Sequence, residues 1–144
     1  HRRMKQTYRA VLAGTGGIGD THARAVQSTQ GRVELVAAMD VDAARAAAFT
    51  AKWGIAGTFT NYTEMLAATR PDLVIIASPP ALHLGMSVAA MEAGAWVWCE
   101  KPLCGSLADL DVLAAATSST RAWVAWTARA WVSPMPPVPA RTAR

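Results

Sequence analysis

The chain has 144 residues, 52% of them hydrophobic and 17% charged, with a formal net charge of +4. That is one domain's length with enough apolar material for one packed core, which excludes disorder throughout; no apolar run approaches the roughly 18 residues that cross a bilayer. The positive charge sits at the ends, four Arg/Lys in residues 1–9 and four Arg in 121–144, around an acidic body, and this is not the clustered basic face of a nucleic-acid binder.

Strand and helix signals alternate along the chain, the pattern of parallel βαβ units. Tyr8–Ala13 is a short apolar run that ends at Gly14 and suits a buried first strand. Residues 18–28 carry apolar side chains at helical spacing, with Gly31 as a stop. Val33–Met39 reads as a second strand followed directly by Asp40, and Asp42 caps an Ala-rich helix that Gly54 stops. A short strand near Thr58–Phe59 precedes Asn61, a cap answered by Glu64 at the third helical position. Pro71 ends that helix, and Leu73–Ala77 is the clearest buried strand. A helix from about Pro80 closes at Gly94, Trp96–Cys99 forms the next strand, and Ser106 with Asp109 starts a last helix reaching about Thr117. Trp96 and Trp98 alternate with Val97 and read as core. Right-handed crossovers fold such a string into an α/β, doubly wound parallel sheet with helices on both faces, the Rossmann arrangement.

This assigns residues 7–120 to one dinucleotide-binding domain and residues 1–6 to a disordered extension. Residues 121–144 carry three Trp, four Pro, four Arg and no acid, and show no period beyond Trp123–Trp126. They read either as a linker or as a frame slip near Ser118–Arg121, since GC-rich codons read out of frame yield Arg, Ala, Pro and Trp. Cys99 and Cys104 supply neither a disulfide framework nor a metal site. With Gly14–Gly19 interrupting the apolar stretch after the basic start, no signal peptide is visible. The chain therefore reads as cytoplasmic and reduced, and no metal, membrane or nucleic acid is expected.

Gly14-Thr15-Gly16-Gly17-Ile18-Gly19 fits G-x-G-x-x-G between a strand and a helix. Gly14 allows the tight turn, Gly16 lets backbone approach a pyrophosphate, and Gly19 lets helix pack on strand. Gly17 and Ile18 open the helix, whose N-terminus offers free N–H groups to phosphate. Asp40 lies 21 residues past Gly19, where a carboxylate accepts from an adenosine ribose and repels a 2′-phosphate. NAD is favoured over NADP on that ground, with Arg45 able to soften the repulsion; the alternative is that Asp40 only begins a turn with Asp42.

Ser78-Pro79-Pro80-Ala81-Leu82-His83, Ala93-Gly94 and Glu100-Lys101-Pro102 follow the fourth and fifth strands in order. Together with the glycine loop they resemble the nucleotide domain of the glucose–fructose oxidoreductase, inositol dehydrogenase and rhizopine-catabolism family, over residues 7–116. The resemblance implies that Ser78, Pro79 and Pro80 line the dinucleotide groove, that Glu100 faces the cofactor, and that Lys101 lies near nicotinamide and substrate, where it would orient a hydroxyl and help its proton leave. It also implies a sugar or polyol substrate. His83 is either a cofactor contact or a structural histidine. The family's second α/β domain, with its substrate pocket, Asp/His pair and oligomer interface, is not recognisable after Thr117. The function expected is hydride transfer between a nicotinamide cofactor and an alcohol; the alternative is a free-standing dinucleotide-binding or redox-sensing module. Apolar surface left by a lost domain would make the chain self-associate as a homo-oligomer.

Overall fold

The computed structural model describes residues 7–119 and 124–126. Six strands, β1 (Tyr8–Ala13), β2 (Val33–Met39), β3 (Gly57–Phe59), β4 (Leu73–Ile76), β5 (Trp96–Cys99) and β6 (Val124–Trp126), form one sheet in the order β3-β2-β1-β4-β5-β6. Every neighbouring pair is parallel, so the expected doubly wound fold is the one found. The chain winds outward from β1 to β3, crosses back, and winds outward again from β4 to β6. The reversal falls between β1 and β4, the place where such sheets open a crevice at the strands' carboxyl ends.

Local chemistry sets the helix boundaries. Helix α1 spans Gly17–Gln27 and α2 spans Ala43–Trp53. The Asp42 carboxylate accepts from the Arg45 N–H at 3.1 Å to start α2, and Gly54, in the left-handed region at φ +65°, ends it. In α3 (Tyr62–Thr69), Asn61 Oδ1 accepts from Glu64 N–H at 2.9 Å. Pro80–Leu82 forms a 3₁₀ turn that leads into α4 (His83–Glu92), and α5 covers Leu107–Ser119. Proline at the opening of that turn is at home because its missing N–H would have had no helical partner.

Two apolar layers flank the sheet. On one face, Val11, Ala37, Val74 and Val97 with Ala13, Met39, Ile76 and Cys99 pack against Met65 and Leu66 of α3, Ala90 and Met91 of α4, and Leu113 of α5. On the other, Leu12, Ala38 and Ile75 pack against Ala23 of α1 and Phe49 of α2. Among the described residues this second layer stops at β4, and the sequence reading of Trp98 as core is corrected here. Trp98 pairs in register with Ile75 and so points to the second face, where it is 41% exposed. Its neighbour Trp96 is half-buried, with its ring 6.0 Å from that of Tyr8. It is Val97 and Cys99 that reach the core.

Strand β6 lies inside the stretch that the sequence reading set apart as a tail. Three residues are too few to show a period, and the strand exists through its ladder with β5, Val97 to Val124 and Cys99 to Trp126. The expectations for residues 1–6 and for 127–144 fall outside the described residues. Among those described, no helix is long and apolar enough to cross a membrane, and no group of three His, Cys, Asp or Glu side chains is arranged to hold a metal ion.

Candidate functional site: a dinucleotide crevice

The crevice is built at the ends of β1 and β4. Gly14 N–H donates to Met39 O at 2.8 Å and Ala77 N–H to Ala13 O at 2.8 Å, so the loops after β1, β2 and β4 meet there. Gly14 has φ +97°, and a Cβ on it would sit 2.5 Å from Ala77 O and 2.8 Å from Ser78 N. Glycine there is required by the fold. Gly19 is also tight, with a would-be Cβ 3.2 Å from Gly14 O. Gly16 differs: its φ of −71° and ψ of −170° suit any residue, and a Cβ there would meet no atom within 4 Å. Gly16 is the N-cap of α1 and brings no side-chain cap, and the next two residues, Gly17 and Ile18, are exposed.

Asp40 follows β2 on the rim of the same crevice. Its Oδ2 accepts from Thr15 N–H (3.1 Å) and Thr15 Oγ1–H (2.8 Å), and its Oδ1 from Asp42 N–H (3.0 Å). Burial by itself raises the pKa of Asp40, but the hydrogen bonds from Asp42 and Thr15, with Arg45 nearby, outweigh it and hold the carboxyl below its usual value. Arg45 Nη1 stands 3.9 Å from Oδ2 on a side chain that is 58% exposed. Asp40 is therefore a charged, oriented acceptor at the crevice's edge.

On the other flank, Pro79 and Pro80 are exposed and Ser78 is half-buried, its hydroxyl 3.3 Å from Met86 Sδ. After β5, Glu100 is partly buried and Lys101 exposed, and the Lys101–Pro102 peptide is cis. Glu100 N–H donates to Ile76 O at 2.9 Å, which brings this loop beside the one after β4. His83 is 1% exposed, with Nδ1 2.6 Å from Pro102 O and Nε2 2.8 Å from Ser78 O. Both ring nitrogens face backbone carbonyls, one from each of two loops, and the single N–H of a neutral ring donates to one of them, so neither nitrogen is turned to the crevice.

Two residues that the sequence reading passed over belong here. Thr15 holds Asp40, as above. His22 Nε2 lies 2.7 Å from Glu100 Oε1. The spacing of Gly19, His22 and Ala23, all on the buried side of α1, was a visible signal that His22 faces inward; nothing in the sequence marks Thr15. Cys99 is fully buried, and burial pushes its thiol up to about 11, which makes it an inert core residue. A separate hollow of about 190 Å³ lies among Val26, Leu35, Trp53 and Ile55. It opens near the start of β2, at the opposite end of the strands, and has no part in the crevice.

The chain resembles known dehydrogenases over this whole region. The family model described as the Gfo/Idh/MocA oxidoreductase family, NAD-binding Rossmann fold, matches residues 8–126. Inositol 2-dehydrogenase of Salmonella typhimurium is 36% identical over 104 residues, which are 72% of this chain and 31% of that protein. 4-Carboxy-2-hydroxymuconate-6-semialdehyde dehydrogenase of Sphingobium is 35% identical over 105 residues, 73% of this chain and 33% of that one. Among solved structures, myo-inositol 2-dehydrogenase of Lactobacillus plantarum aligns with a TM-score of 0.77 at 32% identity, over 84% of this chain and 36% of that chain. The WlbA dehydrogenase of Bordetella pertussis, solved with NADH and UDP-GlcNAcA, aligns with a TM-score of 0.80 at 26% identity, over 85% and 37%. The chain thus spans about a third of the length of the relatives it matches. It belongs to the Gfo/Idh/MocA oxidoreductase family, and the described residues form that family's NAD-binding Rossmann domain.

Proposed function

We propose that this chain supplies the cofactor half of an oxidoreductase that moves a hydride between NAD and a sugar- or polyol-like alcohol. The observation that carries the reading is the open space over Gly16: apart from a modest capping preference, neither its backbone conformation nor a neighbouring atom requires a glycine there, whereas a pyrophosphate approaching the backbone does. The residues present fit the cofactor. The N–H groups at the start of α1 would hold the phosphates. Asp40, kept ionised by Thr15 and Asp42, would accept from the adenosine ribose hydroxyls and repel a 2′-phosphate, which favours NAD over NADP. Ser78, Pro79 and Pro80 would form the groove wall, and Glu100 would face the nicotinamide end.

Bound NAD supplies the hydride acceptor. Oxidising an alcohol also requires that its hydroxyl proton pass to a base, and Lys101, exposed after β5, would orient that hydroxyl and stabilise the negative charge that develops as the proton leaves for that base. The relatives act on substrates as different as inositol and a carboxylated semialdehyde, so substrate choice resides outside what the nucleotide domains share. A non-catalytic sensing module remains the second reading from sequence, and no feature of the crevice favours it.

Titration of the chain with NADH and NADPH, followed by nicotinamide fluorescence, tests the proposal. NADH is expected to bind at least about tenfold more tightly, a difference of about 1.4 kcal/mol. Asp40→Ala is expected to narrow that ratio. Absence of saturable NADH binding would overturn the reading, and equal affinities would overturn the role of Asp40.

A further inference from the structure

Lys101 has a neighbour on each side that is tied to a different helix by a histidine. Glu100 is held through its carboxylate by His22 of α1, at 2.7 Å across 78 residues of sequence. Pro102 is held through its carbonyl by His83 of α4, at 2.6 Å, and the same ring reaches Ser78 O at 2.8 Å. Helix α1 follows the loop at the end of β1, and α4 follows the 3₁₀ turn after the loop at the end of β4. We propose that His22 is a positioning residue. By fixing Glu100, it couples the glycine loop that opens α1 to the loop that carries Lys101, with His83 making the matching tie on the other side. The inference rests on the dinucleotide reading of the crevice.

The geometry of the His22 contact supports a positioning role. Its side chain is 10% exposed and that of Glu100 16%. With the carboxylate as acceptor, Nε2–H of His22 is the donor. The Trp98 ring stands edge-on to the imidazole at a centroid distance of 6.4 Å and 76°, which restricts where the ring can turn. Glu100 N–H is already fixed to Ile76 O at 2.9 Å; the bond to His22 then fixes the side chain. A buried polar tie of this kind is a poor way to add stability, because apolar residues of similar size would pack there at least as well. What the tie provides is direction, since it holds one carboxylate oxygen at one place beside Lys101.

The test separates the two ends of the cofactor. NADH occupies the whole crevice, whereas ADP fills only the adenosine and pyrophosphate part. His22→Met keeps the volume and removes the donor; His22→Gln keeps both volume and donor. His22→Met is expected to weaken NADH by about tenfold and leave ADP within about twofold, while His22→Gln retains most of the NADH affinity, the loss being that of one hydrogen bond to a charged group. Equal weakening of NADH and ADP would mean that His22 only supports α1, and unchanged affinity for both would mean that the tie positions nothing; either result overturns the proposal. If His22→Met does not fold, His22→Asn, whose amide stops short of Glu100, takes its place with the same expected split. Failure of the unsubstituted chain to bind NADH would sink the dinucleotide reading itself, whereas loss of binding in Asp40→Ala with no effect in His22→Met would sink only this inference.

Discussion

Replacing Gly14 and Gly16 separately by alanine distinguishes a glycine that the fold needs from one that a ligand needs. At Gly14 the added methyl would lie 2.5, 2.6 and 2.8 Å from Ala77 O, Ala77 C and Ser78 N. All three are backbone atoms of the neighbouring strand's end and cannot swing aside as a side chain would. Left-handed backbone at φ +97° adds about 1–2 kcal/mol for a residue with a Cβ, and overpacking adds about 1–3 kcal/mol. The sum, about 2–5 kcal/mol, is a large share of the 5–15 kcal/mol typical of a domain. At roughly 4 °C per kcal/mol, Gly14→Ala is expected to lower Tm by about 8–20 °C. Gly16→Ala meets no atom within 4 Å and keeps an ordinary backbone conformation. Its expected stability change stays within about 1 kcal/mol, mostly from alanine's poor capping of α1. Its NADH affinity, in contrast, is expected to fall at least about tenfold, because the methyl takes the space that the pyrophosphate needs. Thermal melts followed by circular dichroism and NADH titration give both numbers for both variants. Unchanged NADH affinity in Gly16→Ala would refute the pyrophosphate assignment, and a wild-type Tm for Gly14→Ala would refute the loop geometry.

Three further outcomes are expected. Asp40 has a depressed pKa in the folded state, so its stabilising share is present above the unfolded value near 3.9 and is lost as pH falls through the folded value; acid melts of Thr15→Val, which removes one of its donors, should show that loss at a higher pH than the parent, and superimposable curves would contradict the assignment. The Cys99 thiol, raised from 9.0 to about 11 by burial, is protonated when folded while the unfolded chain ionises, so stability should decline between about pH 9 and 11. In Cys99→Ala that decline should shrink, and in the folded parent a thiol reagent should label Cys104 well before Cys99. Trp98, 41% exposed on β5, should promote self-association of this chain; sedimentation velocity across a concentration series should show Trp98→Lys remaining monomeric where the parent does not, and a monomeric parent would remove this sheet face from consideration as an interface.

Much of the fold was legible because its signals are local. Apolar runs bounded on one side by Gly, Asp or Pro marked β1, β2, β4 and β5, and the caps Asp42 and Asn61 and the stop at Gly54 appear in the structure where the sequence put them. The glycine loop lies between β1 and α1, and Asp40 at the end of β2, because both positions follow from strand and helix boundaries that neighbouring residues set. Parallel order followed as well, since helices of this length between strands permit little else.

Residues far apart in sequence decided the rest. Thr15 reaches Asp40 across 25 residues, His83 reaches Pro102 across 19, and His22 reaches Glu100 across 78; no periodicity carries such pairings, because each depends on where the sheet sets the strand ends. Whether Trp98 was buried depended on whether a helix lay over β5, not on its alternation with Val97. Strand β6 needed the edge of β5 before three residues could count as a strand at all. The sequence alone determined β1 to β5, the helices between them and the place of the glycine loop between β1 and α1. Only the packed sheet decided which side chains hold one another around Lys101, because that required the ends of β1, β2, β4 and β5 to be brought within hydrogen-bonding reach.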